Sequence, residues 1–185
     1  MPRAWEPRGE RQRVYETRIF QIARQQRISP RTGNGHDFFV VDCADWCNIV
    51  PVTAAGEVVM VRQHRYGTDE ETLEIPGGMI DPGDASPMAA AQRELIEETG
   101  YQARDLVQTG VIAPNPAMQS NRTFSFLARG VEKVRAPELD AGEEIDVVLV
   151  PLAEIPGRIA RGEISHALVV VAFAYALGLQ APPAP

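Results

Sequence analysis

The 185-residue chain has little cysteine, few aromatic residues and no long apolar segment. Its two cysteines, Cys43 and Cys47, are too few for a disulfide framework and lack C-x-x-C spacing, so we predict buried free thiols in a reducing compartment. The longest apolar stretch, 167–179, has 13 residues, whereas a membrane span needs about 20. Charges occupy the N-terminus where a secretory signal requires an apolar segment. We therefore expect a cytoplasmic protein with no membrane partner.

Positive charge is also scarce, because 18 Lys and Arg residues face 25 Asp and Glu residues and leave a formal net charge of −7. A net negative surface repels phosphate backbones, so we expect no nucleic-acid partner. A phosphorylated metabolite can still bind to an acidic protein when metal ions mediate the contact. Apolar residues make up 44% and charged residues 23% of the chain, which is typical of a globular domain.

The order of the predicted elements indicates a mixed sheet flanked by helices, without strict alternation of strand and helix. Residues 14–28 and 38–53 are β-rich, and the polar segment 1–13 is predicted to be a loose arm. The segments 48–53 and 57–62 flank a turn at Gly56, which predicts an antiparallel pair. Further elements follow, with strands near 106–113, 122–129 and 145–150 and helices at 88–100, within 151–163 and at 165–179. The predicted class is α/β (α+β).

The strongest helix signal lies between a capping residue, Ser86, and a stop residue, Gly100. At about 100° per residue, Glu94, Glu97 and Glu98 fall within an arc of about 100°. Acids four residues apart repel each other, and acids near the C-terminus of a helix oppose its dipole. A bound divalent cation would reverse both effects, and an all-oxygen ligand set favours Mg²⁺ or Mn²⁺ over Zn²⁺. A solvated acidic face is the alternative that the helix alone leaves open.

The segment GGMIDPGDASPMAAAQRELIEETGY, residues 77–101, resembles the Nudix box, whose helical part is Arg-Glu-aliphatic-x-Glu-Glu-x-Gly. The matching positions are Gly78, Arg93, Glu94, Leu95, Glu97, Glu98 and Gly100. The loop between Gly78 and Arg93 is one residue longer than in the family, Asp84 represents its first acid, and Tyr101 replaces an aliphatic residue. The resemblance implies a Nudix-like α/β/α sandwich and hydrolysis of a nucleoside diphosphate linked to another moiety.

The resemblance also implies a metal site on the helix. Glu94 and Glu98 would ligate Mg²⁺ or Mn²⁺, Glu97 would be a third ligand or bind through water, and the Gly77 carbonyl would complete the shell. Arg93 would orient the glutamates by ion pairing. A divalent cation suits the implied reaction because it neutralises a pyrophosphate and lowers the pKa of bound water.

Residues 46–177 are similar to the ADP-ribose and nucleotide-sugar pyrophosphatase branch, through the segments VRQHR (61–65), LEIPGG (73–78) and PNP (114–116). The similarity implies that Arg65 contacts the diphosphate or the adjoining ribose, with a plain surface charge as the alternative. It implies that Glu74 hydrogen-bonds the sugar or base, with a strand-end salt bridge as the alternative. Trp46 would stack on a base, or else belong to the core.

In this branch the catalytic base is a glutamate on a loop just before a strand. The segment 142–147, GEEIDV, resembles that loop, which implies Glu143 as the base and Glu144 as the runner-up. A solvated acidic turn is the alternative. The histidines lack metal-ligand spacing and are interpreted as surface or structural residues: His36, His64 and His166.

The branch further implies a domain organisation and an activity. Residues 1–45 correspond in position to a small sheet through which members form homodimers, 46–180 would be the hydrolase domain, and 181–185 a flexible tail. The implied function is Mg-dependent hydrolysis of the pyrophosphate bond of ADP-ribose or a related nucleoside diphosphate sugar, giving a nucleoside monophosphate and a sugar phosphate. The alternatives are another substrate such as GDP-mannose or NADH, or a non-catalytic nucleotide sensor.

Overall fold

The computed structural model describes residues 4–139 and 141–178. The described residues divide into two compact units, one formed by residues 4–44 and 113–122 and the other by residues 45–112, 123–139 and 141–178. The N-terminal segment therefore shares its unit with a short loop from the middle of the chain. The predicted tail, 181–185, lies outside the described residues.

The first unit is a three-stranded antiparallel sheet of β1 (Glu6–Glu16), β2 (Phe20–Ile28) and β3 (Gly35–Cys43), in that order. The predicted loose arm over 1–13 is wrong from Glu6 onward, because β1 pairs with β2 along its length. Every β1 residue is exposed, so the strand depends on backbone hydrogen bonds and shows no apolar alternation. Loop 113–122 joins this unit because Val41 donates its N–H to the Met118 carbonyl at 2.7 Å.

The second unit contains an eight-stranded mixed sheet in the order β11-β5-β4-β10-β8, with β6 paired to β5, β7 to β4 and β9 to β10. Its strands are β4 (Trp46–Thr53), β5 (Glu57–Arg65), β6 (Glu70–Glu74), β7 (Gly77–Met79), β8 (Tyr101–Gln102), β9 (Leu106–Ile112), β10 (Thr123–Lys133) and β11 (Ile145–Pro151). The pairing of β4 with β10 is parallel, and the other pairings are antiparallel. The predicted antiparallel pairing of 48–53 with 57–62 is confirmed by β4 and β5.

Helices cover both faces of this sheet: α1 (Pro87–Thr99) on one, and α2 (Ile155–Ala160) and α3 (Ala167–Ala176) on the other. Alternation along β4 explains the two cores, because Ile49 packs with Leu95 of α1 while Val50 packs with Phe173 of α3. The predicted α/β class, with a mixed sheet between helices and a small antiparallel sheet, is confirmed. In the described part of the chain no helix is long and apolar enough to cross a membrane.

Both predicted boundaries of α1 are confirmed by its caps. The Ser86 hydroxyl accepts a hydrogen bond from the Ala89 N–H at 3.1 Å, and Pro87 occupies the first turn. Gly100 ends the helix in the left-handed conformation with φ of 73° and donates its N–H to the Ile96 carbonyl. Ala90, Ala91 and Leu95 of α1 pack in the core, and this packing directs Glu94 and Glu98 to the β7 turn.

Candidate active site

The glycine turn at β7 lies directly against two carboxylates of α1. The Gly77 N–H donates to Glu98 Oε2 at 3.0 Å. A Cβ atom on Gly78 would lie 2.5 Å from Glu94 Oε1, and a Cβ on Gly77 would collide with the Cys47 carbonyl oxygen of β4. Glycine is therefore required at both positions, because the carboxylates and the neighbouring strand approach the backbone so closely.

Glu98 is buried and Glu94 is half-buried, and both carboxylates have few compensating donors. Burial raises the pKa of Glu98, only 4% exposed, to about 8, against the lowering effect of the Gly77 N–H. Burial likewise raises the pKa of Glu94 to about 7, although Arg93 opposes the shift. A buried acid with a raised pKa gains from a nearby cation, which stabilises its charged form. This all-oxygen donor set therefore fits a hard divalent ion.

Arg93 lies among the acids around this turn. Its guanidinium pairs with both oxygens of Asp84 at 3.1 Å, with Glu94 at 3.0 Å and with Glu97 at 2.9 Å. Hydrogen bonding to Asp84 holds the pKa of Arg93 above its usual value. Within residues 4–139 and 141–178, no three acidic, His or Cys side chains already converge as a metal cage. Arg93 Nη1 donates to Glu97 Oε2, so one oxygen of this carboxylate is engaged in an ion pair.

Glu143 joins this cluster electrostatically from the loop that precedes β11. Its negative charge contributes to raising the pKa of Glu94, of Glu98 and of Arg65. Coulombic effects of this kind decay with distance, so the exposed Glu143 carboxylate lies within range of both buried acids. Glu144 is exposed on the same loop.

A second acidic centre, at the end of β6, has the opposite environment. Glu74 is 2% exposed and accepts two hydrogen bonds from Arg65 at 2.7 Å, one from the Thr72 hydroxyl at 2.7 Å and one from His166 Nδ1 at 2.7 Å. Burial alone would raise the pKa of Glu74, but the hydrogen bonds from Arg65 and His166 outweigh it and hold that pKa far below its usual range.

A cavity of about 600 Å³ connects the two centres. It extends from the β7 turn to the start of α3, and its walls include Trp46, Asn48, Glu74, Met79, His166 and Leu168. Apolar walls with a few convergent polar groups are typical of small-molecule sites. Trp46 is half-buried and forms part of the wall, so its side chain is available to a ligand.

The structure brings most of the predicted residues together. Gly77, Arg93, Glu94, Glu97 and Glu98 meet at the β7 turn, whereas Trp46, Arg65 and Glu74 line the cavity. The sequence left a strand-end salt bridge open as the alternative role of Glu74, and Glu74 does form a salt bridge, with Arg65.

The sequence did not single out two polar residues of the cavity. His166 was interpreted as a surface or structural residue, and Asn48 received no prediction. His166 contacts Glu74 across 92 positions of the chain, and Asn48 contacts Leu168 across 120. No local spacing signals contacts of this kind.

The thiols follow the prediction in part. Both cysteines are free, but only Cys47 is buried, whereas Cys43 is half-buried. Burial raises the pKa of the Cys47 thiol to about 12, so this thiol is neutral at physiological pH.

Comparison with known proteins supports a single family. The family described as "NUDIX domain" matches residues 47–171. The methanol dehydrogenase activator of Bacillus methanolicus and the ADP-ribose pyrophosphatase of Bacillus subtilis (strain 168) are each 30% identical over 128 residues, 69% of this chain and 69% of the relative. A crystal structure of an ADP compounds hydrolase has the same fold, with a TM-score of 0.81 and 24% identity over 93% of this chain and 92% of that one. The chain, as the box at 77–101 predicted, belongs to the NUDIX family.

Proposed function

We propose that the protein hydrolyses the pyrophosphate bond of ADP-ribose or a related nucleoside diphosphate sugar with a divalent cation, giving a nucleoside monophosphate and a sugar phosphate. One observation carries the proposal: the buried Glu98 and the half-buried Glu94 have raised pKa values beside a glycine turn that lines a large cavity. The similarity to an ADP-ribose pyrophosphatase supports this substrate class.

Glu94 and Glu98 would hold the cation, with Glu97 and the Gly77 carbonyl as further ligands and Mg²⁺ as the preferred ion over Mn²⁺. Nudix hydrolases generally use divalent cations. A cation bound there neutralises the pyrophosphate and lowers the pKa of the attacking water.

The remaining residues act through hydrogen bonds and charge. Arg93 positions Glu94 and Glu97 by ion pairing. Glu143 accepts the proton of the attacking water as general base, a role that its charge interaction with Glu94 and Glu98 supports. Arg65, fixed by Glu74 at the cavity wall, contacts the diphosphate or its ribose, and Trp46 stacks on the base.

The first unit is proposed as a dimerisation element, with residues 46–180 as the catalytic domain. The sheet of the first unit exposes Tyr15 and Phe39 on one face, at 58% and 56%, and Phe38 on the opposite face, at 39%. Exposed apolar side chains that share a face mark interaction surfaces. Light scattering should give the mass of a homodimer, and Phe39→Lys should shift it towards the monomer. The cytoplasmic location remains a prediction of the sequence.

A product assay tests the function. The protein is incubated with MgCl₂ and ADP-ribose, GDP-mannose or NADH, and the released monophosphate ester is cleaved by a coupled phosphatase. We expect phosphate release from ADP-ribose at the highest kcat/KM and none after chelation of the metal. Faster phosphate release from GDP-mannose or NADH would identify that compound as the preferred substrate. Binding of the three compounds without phosphate release from any of them would favour a non-catalytic nucleotide sensor.

A further inference from the structure

Asn48 is a β4 residue in the wall of the cavity. The described residues use only part of the hydrogen-bonding capacity of its side-chain amide. Its side chain is 6% exposed, and Nδ2 donates to the Leu168 carbonyl of α3 at 3.3 Å. Oδ1 is buried and has no hydrogen-bond partner in the described part of the chain. A buried acceptor without a partner is unfavourable, so such atoms in native proteins require an explanation.

The position of Asn48 connects this acceptor to the proposed reaction centre. Its Cα would lie 2.8 Å from a Cβ on Gly77, so Asn48 packs against the glycine whose N–H holds Glu98. Asn48 and Gly77 both line the cavity. A ligand group bonded to Oδ1 is therefore held beside the turn that carries the two buried carboxylates.

His166 adds a second acceptor to the same cavity. Glu74 accepts a hydrogen bond from Nδ1, and because a carboxylate with a strongly lowered pKa only accepts, Nδ1 must carry the proton. In the neutral ring Nε2 is then an acceptor. The inner part of the cavity thus offers acceptors, while Nε and Nη2 of Arg65 are directed at Glu74.

We propose that Asn48 Oδ1 is a specificity-determining acceptor that receives an N–H or O–H from the nucleotide sugar, with His166 as a positioning residue that holds Glu74. This inference rests on the proposed function and names a contact within it. The donor is either an amino group of the base or a hydroxyl of the sugar, since both supply the same hydrogen. Of the two products, AMP carries the base with its own ribose, whereas ribose 5-phosphate carries the terminal sugar.

Titration calorimetry in EDTA, without any divalent cation, tests the contact with ADP-ribose, AMP and ribose 5-phosphate. Asn48→Leu removes the amide at similar volume. We expect about tenfold weaker binding of ADP-ribose and of one product, with the other product changed less than about twofold, because one hydrogen bond is lost. Loss of AMP affinity assigns the donor to the adenosine half, and loss of ribose 5-phosphate affinity assigns it to the terminal sugar.

Thr123→Val is the matched control, because the Thr123 hydroxyl is also buried and unpartnered within the described residues but does not line the cavity. It should bind all three compounds like the wild type. If Asn48→Leu does not fold, Asn48→Ala replaces it, and a melting temperature near that of the wild type is required of either variant.

Three results would overturn the inference: unchanged binding by the folded variant, equal weakening of both products together with a fall in melting temperature, or no binding of any compound by the wild type. The proposed function fails separately, when the wild type with MgCl₂ releases no phosphate from any substrate. Because calorimetry contains no cation, binding and hydrolysis are independent readouts.

Discussion

Two buried glutamates of the same unit, Glu74 and Glu98, have opposite environments. Glu74 accepts four hydrogen bonds, from Arg65, Thr72 and His166, and its pKa is far below the usual range. Glu98 accepts a backbone hydrogen bond from Gly77, and burial raises its pKa to about 8. Burial is almost equal, at 2% and 4% exposure. The number and charge of the donors therefore decide the protonation state.

The difference separates a structural anion from an anion that requires a ligand. Glu74 is charged and fully compensated, so it needs nothing further to be stable in the cavity wall. Glu98 has acidic neighbours instead, since Glu94 and Glu143 both contribute to raising its pKa. A divalent cation supplies the charge that the chain itself does not place there.

The largest effect is expected from Glu98→Gln. The variant keeps the volume and the hydrogen bond from Gly77 but loses the negative charge, so kcat should fall by several orders of magnitude. The fold should persist, because a neutral amide is easier to bury than a carboxylate. Steady-state phosphate release and circular dichroism measure the two quantities.

Glu132→Gln is the matched control, because this carboxylate is 69% exposed and pairs only loosely with Arg104, at 3.7 Å. Its kcat should stay within about twofold of the wild type, as is usual for exposed pairs. If Glu98→Gln turned over substrate at a similar rate, the assignment of Glu98 as a metal ligand would be wrong.

A smaller loss is expected from Glu143→Gln, which tests whether the charge near the buried pair acts as a base. Loss of a general base lowers kcat by about 10²–10⁴-fold, while the affinity for Mg²⁺ should change much less. Glu144→Gln, on the same loop, is the control and should be close to wild type. A low kcat for Glu144→Gln together with a normal kcat for Glu143→Gln would identify Glu144 as the general base instead.

The effect of metal on stability should depend on pH. The folded-state pKa values of Glu94 and Glu98 are about 7 and about 8, above the unfolded value near 4.5, so the folded protein binds more protons in this window. Without metal, the free energy of unfolding therefore decreases as pH rises from about 4.5 to about 8. Metal binding competes with these protons, and its stabilisation grows over the same range.

Thermal melts in EDTA and in saturating MgCl₂ measure this effect. Saturation at about 100 times Kd contributes about 2.7 kcal/mol, which is roughly a 5–10 °C rise in melting temperature for a chain of this size. The rise should be clear at about pH 8 and small at about pH 5. An equal rise in melting temperature at both pH values would show that Mg²⁺ binds elsewhere. No rise at either pH would contradict the assignment of a metal site to Glu94 and Glu98.

The two glutamates also differ in how far the sequence predicted them. Glu98 lies in a helix whose ends Ser86 and Gly100 mark, and helical spacing alone predicted that it shares a face with Glu94. Glu74 was singled out by resemblance, but its partner His166 was not, because that contact depends on how α3 packs on the sheet. Strand β1 was missed for a related reason, since an exposed polar strand depends on its neighbour and has no apolar period.

The smallest effect, on stability, is expected from Glu74→Gln, and it tests the compensated side of the comparison. Because the folded-state pKa of Glu74 is lowered, its stabilisation is present above the unfolded pKa near 4.5 and is lost as pH falls below that value. The variant should lose about 1–3 kcal/mol at neutral pH and show a weaker loss of stability on acidification. Urea unfolding at several pH values measures both. Glu71→Gln, in the same strand, removes an exposed pair with Arg62 at 3.4 Å and should cost less than about 1 kcal/mol. Equal losses for the two variants would mean that the buried hydrogen bonds of Glu74 contribute no more than a surface ion pair, and the donors would then not explain the contrast with Glu98.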